Sequence, residues 1–309
     1  MTRRGWSLFV ALCLIWGIPY LLIRVAVAEL SPASLVFLRT SIGALLLLPA
    51  VLKAGRLRTL LPQWRWILLF TAVEVALPWW FLSDAERRIT SSMSGLLVAS
   101  VPLVGALLSR ATGTHQPLGA RGVAGLALGF AGVVAVVGLD LSGDVTAILE
   151  IALVVIGYAV GPLIISRRLA GLPSLDVVAV SLAACAILYA PLGIAQFPAT
   201  LPSPAVLAAV AVLGVVCTAV AFLLFFRLIA EVGPVRATVV AYVNPAVAVL
   251  AGIALLGEPL TLGTALGFVL ILAGSWLATA PSGIRAIARE AEHPAAPQGR
   301  AAPLVQQVD

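Results

Sequence analysis

The sequence predicts an all-α integral membrane protein, with ten transmembrane helices arranged as two inverted five-helix repeats. Three observations carry this expectation. The chain is 61% hydrophobic and only 10% charged, whereas a soluble domain holds about a quarter charged residues and could not hide so much apolar surface. Its apolar runs are about twenty residues long, enough for a helix to cross ~30 Å of hydrocarbon. The stretch from Gly95 to Gly138 is echoed by the stretch from Val235 to Ala280.

In that echo Pro102 answers Pro245, and Pro117 answers Pro259. Gly125 and Gly132 answer Gly267 and Gly274, with a one-residue slip of register between the prolines. Gln116 falls where Glu258 stands. A diverged repeat of this length divides the chain into related halves, expected at 1–139 and 140–280, with a tail over 281–309.

Taken in order, Arg3 and Arg4 lead into an apolar run from Trp6 to Ala28. It is too long for the apolar core of a signal peptide and is read as the first transmembrane helix. Gly17 and Pro19 weaken it near its middle and permit a bend. The other nine spans are Ala33–Leu52, Arg65–Ser83, Ser91–Ser109, Arg121–Leu139, Thr146–Ser166, Leu175–Ile194, Pro204–Arg227, Val235–Leu256 and Leu262–Ala280. They are apolar on all sides, without the alternation a membrane barrel requires. The tail is rich in Ala, Pro, Gln and Arg and is expected to be disordered, with Arg285 and Arg289 near anionic headgroups.

Charge distribution orients the spans. With the N-terminus in the cytoplasm, fifteen of the nineteen Lys and Arg residues fall on the inner side. Arg24, Arg87 and Arg88 fall outside, and Arg39 lies within a span. Both termini are then cytoplasmic, in the inner membrane. Five helices per half is an odd number, so the second half enters the bilayer upside down, as in many alternating-access transporters. The net charge of +6 is accounted for by basic inner loops rather than by nucleic-acid binding.

Other function classes are disfavoured. Cys13, Cys185 and Cys217 stand alone in apolar spans and read as buried fillers. His115 and His293 lack a ligand partner, so no metal is expected. The lone lysine, Lys53, is not preceded by a phosphate-binding loop, and no zinc-peptidase or nucleophile-elbow motif occurs. No cofactor and no enzymatic activity are expected; transport energy would come from a gradient.

A charge inside the bilayer costs roughly 2.5 kcal/mol or more and is a functional candidate by default. Arg39, Glu74 and Glu150 are such groups, with Glu150 near an interface. Glu74 is expected about 13 Å below the outer end of its helix and Arg39 about 9 Å, at 1.5 Å per residue. An ion pair between them is one reading, tying two helices together. The other has both facing a polar cavity, with Glu74 meeting a proton or cationic group and Arg39 an anionic one. Trp16 and Tyr20 fit either a cavity wall or core packing, Tyr158 is the matching aromatic of the sixth span, and Tyr242 and Asn244 bring polar atoms to the ninth. Trp79 and Trp80 read as an interfacial belt. Gly17, Pro19, Pro102, Pro245 and Glu258 are hinge or gate candidates. Gly122, Gly125, Gly129 and Gly132 line one face of the fifth span, and Gly263, Gly267 and Gly274 one face of the tenth. Scaffold packing and a homodimer contact both fit them.

These residues resemble the drug/metabolite transporter superfamily, in its EamA-type ten-helix branch. The resemblance rests on Trp16-Gly17, on Pro32 followed by Phe37-Leu38-Arg39, and most strongly on Ala237, Tyr242, Asn244-Pro245, Gly252 and Gly257-Glu258-Pro259-Leu260. The chain departs from the pattern at Thr114-His115-Gln116, and carries Tyr158 where a tryptophan is frequent. The resemblance implies small-molecule export across the inner membrane, often proton-linked. It also implies a central cavity built by four helices of each half, with the fifth and tenth outside it. Trp16, Tyr20, Arg39, Glu74, Tyr158, Tyr242 and Asn244 are its cavity candidates, and Glu258 suits a cap or gate. The expected function is secondary export of an amino acid, related metabolite or drug-like solute, with the solute, the lipid bilayer and protons as partners. A sensor or scaffold without transport is the alternative. A membrane enzyme acting on lipid-linked substrates would need a nucleophile or metal cluster that the sequence does not show.

Overall fold

The computed structural model describes residues 2–111, 120–139, 144–233, 237 and 239–279. Among them every regular element is helical. The helices are α1 Arg3–Ala26, α2 Pro32–Lys53, α3 Leu57–Ala85, α4 Ser91–Leu108, α5 Ala120–Gly138, α6 Val145–Arg168, α7 Ser174–Ala195, α8 Pro204–Val232, α9 Val240–Leu256 and α10 Leu262–Ala278. Eight are long and apolar enough to cross a membrane. α9 and α10 are shorter. The Gln116-Pro117 part of the repeat and the 281–309 tail lie outside the described residues.

The even-numbered helices share a start signal. Ser31, Thr90, Asp144, Ser203 and Thr261 each accept a hydrogen bond from a first-turn backbone N–H of α2, α4, α6, α8 and α10. Each such cap stabilises its helix by about 1 kcal/mol. In an up-and-down bundle these starts lie together, at what is here termed the capped end. Charge bias would place this end outside. At the other end α1 is capped by Thr2, whereas α3, α7 and α9 have no side-chain cap.

Close packing displays the inverted symmetry. Three helices pair extensively with their own counterparts: α5 with α10, α2 with α7, and α4 with α9. All three pairs are antiparallel. Gly125 lies against Ala278, Gly129 against Gly274, Gly132 against Ile271, and Gly267 against Val136. Gly193 lies against Phe37 and Gly43 against Leu182; Gly95 meets Ala248 and Gly252 meets Ser92. A helix antiparallel to its own repeat partner requires that the two halves enter the membrane in opposite senses. The glycine faces of α5 and α10 are thus occupied by each other within one chain, where absent Cβ atoms let backbones touch. Gly263 is buried at the start of α10.

Breaks in the helices fall where sequence chemistry puts them. α1 is interrupted at Ile18, between Gly17 and Pro19, and resumes with Pro19 in its first turn, where a missing N–H costs nothing. α4 breaks at Ala99 and Ser100, and Pro102 sits in the first turn of its second part. α9 instead carries Pro245 within a continuous helix.

Candidate functional site

α3 and α8 are repeat counterparts, and each contains one wide turn with i→i+5 hydrogen bonding, at Thr71–Ala76 and Val215–Val220. Such turns concentrate at functional sites. In α3 the cause is Pro78, which lacks an N–H and crowds the carbonyl four residues back. Tyr189 satisfies one carbonyl of this region by donating to Ala76 O at 3.0 Å. In α8 the hydroxyl of Thr218 donates to Leu213 O at 2.8 Å, which holds the turn open. Glu74 and Thr218 occupy the same fourth position of the two wide turns.

Glu74 rests on α6. A Cβ on Gly161 would overlap its carboxylate, and a Cβ on Gly157 would overlap the carbonyl of Val73. Gly157 and Gly161 thus form a cradle, a GxxxG spacing in the sixth span to which the sequence reading gave no weight. The Oε2 atom of Glu74 is buried and has no hydrogen-bond partner.

Arg39 does not meet Glu74. Its side chain is turned toward α8, where Nε donates to Thr218 Oγ1 at 3.0 Å. Its guanidinium lies 3.7 Å from the ring centroid of Trp79, a cation–π contact of the stronger, desolvated kind. Arg39 is 7% exposed, and no carboxylate pairs with it among the described residues. The ion-pair reading is therefore corrected: Arg39 reaches the counterpart of Glu74 rather than Glu74 itself. Trp79 is also corrected, since it is buried beneath Arg39 and is no interfacial anchor.

Tyr158 lies within electrostatic reach of both Glu74 and Arg39. Tyr20 lies within reach of Tyr158 and Arg39, and packs against Gly95 of α4. Arg39, Tyr20, Tyr158 and Glu74 thus form one grouping of a cation, two phenols and an acid in the bundle interior.

The other candidates stand apart from it. Trp16 packs into an aromatic cluster, 4.8 Å from Phe225 and 6.0 Å from Phe222. Gly17 lets α1 cross α9 closely, since its Cβ would overlap Val247. With its amide nitrogen turned toward two carbonyls, Asn244 donates to Val240 O at 3.0 Å and Cys13 O at 3.3 Å, joining those same helices. Tyr242 donates to Ser275 O of α10 at 3.4 Å, facing the scaffold. Glu150 is tied to Arg88, which also pairs with Asp84 and Asp144. This is an ion cluster at the capped end and holds loops together.

Glu258 has the most complete set of partners. Its Oε1 accepts from Ser91 N at 2.8 Å and Ser91 Oγ at 2.9 Å, and its Oε2 accepts from Ser92 N at 2.9 Å and from the Ser92 hydroxyl. One carboxylate from the α9–α10 turn thereby caps α4, in the other half, where the helix dipole favours negative charge. The neighbouring residues make this possible. Gly257 takes a left-handed φ of +66°, and Gly252 leaves room where a Cβ would overlap the carboxylate. Burial pushes this carboxyl up, but the bonds from Ser92 and Ser91 outweigh it and hold it below the usual carboxylate range. A depressed acid contributes stability that is present above its unfolded value and lost as pH falls through the folded value. Glu258→Ala is expected to lower stability by about 2–3 kcal/mol and to abolish that acid-dependent part, read by thermal unfolding in detergent across acidic pH.

Comparison with known proteins agrees with this architecture. Residues 3–138 and 145–280 each match the EamA-like transporter family. The chain is 33% identical to the uncharacterized inner membrane transporter YedA of Escherichia coli K12 over 260 residues, 81% of this chain and 82% of the relative. It is 25% identical to an uncharacterized transporter of Archaeoglobus fulgidus over 289 residues, 91% of this chain and 99% of that one. A crystal structure at 25% identity superposes with a TM-score of 0.64 and covers 95% of this chain and 100% of its own. With both halves matched and a transporter relative aligned along most of its length, the chain belongs to the EamA-like transporter family.

Proposed function

We propose that this protein is a proton-coupled secondary exporter of a small zwitterionic solute, working by alternating access between its two inverted halves. The observation that carries the reading is the pair of unpartnered ionisable groups, one cation and one acid, in the bundle interior. Arg39 has no carboxylate partner among the described residues, and Glu74 Oε2 has no hydrogen-bond partner. Burying an ion without a partner costs several kcal/mol. Arrangements this costly persist in membranes where they serve a solute or proton path. In this reading Arg39 meets an anionic group of the solute, Glu74 exchanges a proton or meets its cationic group, and Tyr20 and Tyr158 line the space between. Gly17-Pro19 and Pro102 are the flexing points, and Glu258 latches the capped end. Both termini lie in the cytoplasm in this reading, which the basic-loop bias supports.

The test is uptake into inverted inner-membrane vesicles, with amino acids of differing side chains as probes. Vesicles containing the protein are expected to accumulate at least one probe above empty vesicles when the lumen is acidic, and to lose most of that accumulation when the gradient is collapsed. Accumulation indifferent to the gradient would overturn proton coupling. No accumulation of any probe would overturn the solute class.

A further inference from the structure

A second carboxylate, outside the Arg39–Glu74 grouping, is buried without a partner. Glu86 follows the last residue of α3 at the capped end, in a loop whose neighbours Arg87 and Arg88 are partly exposed. Glu86 itself is 0% exposed. Neither of its carboxylate oxygens has a hydrogen-bond partner. The guanidinium of Arg24 of α1 donates to the backbone carbonyl of Glu86 rather than to its side chain.

We propose that Glu86 is a proton-binding site, which carries a proton while the capped end is sealed as it is here and gives it up when that end opens to water. The charged and titratable groups facing it come from several elements. Glu258 from the α9–α10 turn adds a negative charge, and Arg24 of α1 and Arg39 of α2 add positive ones. Tyr20 of α1 and Tyr158 of α6 complete the surroundings. On its own element, Arg87 and Arg88 are committed to Asp84, and Arg88 also to Glu150 and Asp144. Glu258 is held ionised by its four donors. A second anion beside it, with no donors of its own, is the arrangement in which like charges cannot both ionise. Burial first, and then Glu258, hold the Glu86 carboxyl well above the usual carboxylate range, against the pull of Arg24 and Arg39.

A metal cation is a poor occupant, since hard cations need several oxygen ligands and no group of three or more metal-ligating side chains exists among the described residues. On opening, the carboxyl O–H bond breaks, the proton passes to water, and the carboxylate stays behind hydrated. Closing reverses the transfer. Glu86 and the Glu258 latch both lie at the capped end, so proton release and unlatching occur at one end of the molecule. The inference goes beyond the role assigned to Glu74, and either can fail alone.

Infrared titration of the full chain reconstituted in lipid tests this without any cargo. Glu86→Gln is expected to remove one protonated-carboxyl C=O band that wild type retains at neutral pH, while Glu74→Gln leaves that band in place. Glutamine imitates the protonated acid, so Glu86→Gln is also expected to melt at or above the wild-type temperature at neutral pH. An acid with a raised folded value loses stability as pH rises, so the variant is expected to flatten part of the wild-type decline toward alkaline pH. A spectrum superimposable on wild type would overturn the proposal. So would a variant that melts lower or fails to fold, because that is the behaviour of an ionised Glu86 losing its interaction with Arg24.

Discussion

Arg39→Met is expected to reduce transport by about thirtyfold or more while leaving the protein folded and no less stable. The two halves of this expectation come from different physics. Removing a cation that pairs with a desolvated anionic group of a solute costs about 2–5 kcal/mol of binding, and about 1.4 kcal/mol is a tenfold change. Within the empty protein, by contrast, Arg39 has one hydrogen bond and one ring contact to offset its burial. Replacing a poorly compensated buried ion by an apolar chain of similar volume is often neutral or stabilising. Methionine keeps the volume above Trp79. Vesicle uptake together with thermal unfolding reads both quantities. Loss of transport with a matching loss of stability would make Arg39 a structural strut. Unchanged transport would remove it from the solute path.

The cradle on α6 yields a contrast between two glycines one helical turn apart. Gly157→Ala is expected to destabilise the protein by about 1–3 kcal/mol, because overpacking forces backbone to move. Its methyl group would meet the carbonyl of Val73 and the ring of Pro78, parts of α3 that cannot rotate away. Gly161→Ala also meets a collision, but with the end of the Glu74 side chain. That carboxylate can swing aside at small cost. Gly161→Ala is therefore expected to leave stability within about 1 kcal/mol of wild type while displacing the proton group and changing the pH dependence of transport. Thermal unfolding and uptake at several pH values separate the two variants. If both lose stability equally, the α3–α6 contact is packing alone.

Much of this fold was legible in the amino-acid sequence because the bilayer is a demanding solvent. Backbone groups must be paired within each apolar run, so runs of the right length are helices. The odd number of runs per half then dictates inversion, and the antiparallel α5–α10, α2–α7 and α4–α9 pairs display it. Gly17-Pro19 and Pro102 marked real breaks, since proline acts locally. The site was less legible, because it depends on which way side chains turn. Depth along a helix placed Arg39 and Glu74 at similar levels but gave no azimuth, and Arg39 turns to Thr218. Trp79 is buried and Trp80 half-buried against the same core, so neither serves as an exposed anchor. A pair of tryptophans near a helix end suggested an interface for both. Glu86 was hidden by its setting, since Glu-Arg-Arg in a short loop reads as solvated charge. The cradle did leave a signal, the Gly157–Gly161 spacing, and the carboxylate of Glu74 at the middle of its expected span was the counterpart to seek. The Glu258 latch required knowing which helix start lies across from the α9–α10 turn, a fact of tertiary structure alone.

The most direct measurement follows the decay of an imposed pH gradient in proteoliposomes, reported by a dye in the lumen, as the probe amino acids are added. If Arg39 meets the solute and Glu74 the proton, wild type dissipates the gradient when a transported probe is present. Glu74→Gln, equally folded and equally inserted, then holds the gradient as empty liposomes do. A Glu74→Gln protein that collapses the gradient at the wild-type rate would contradict the account.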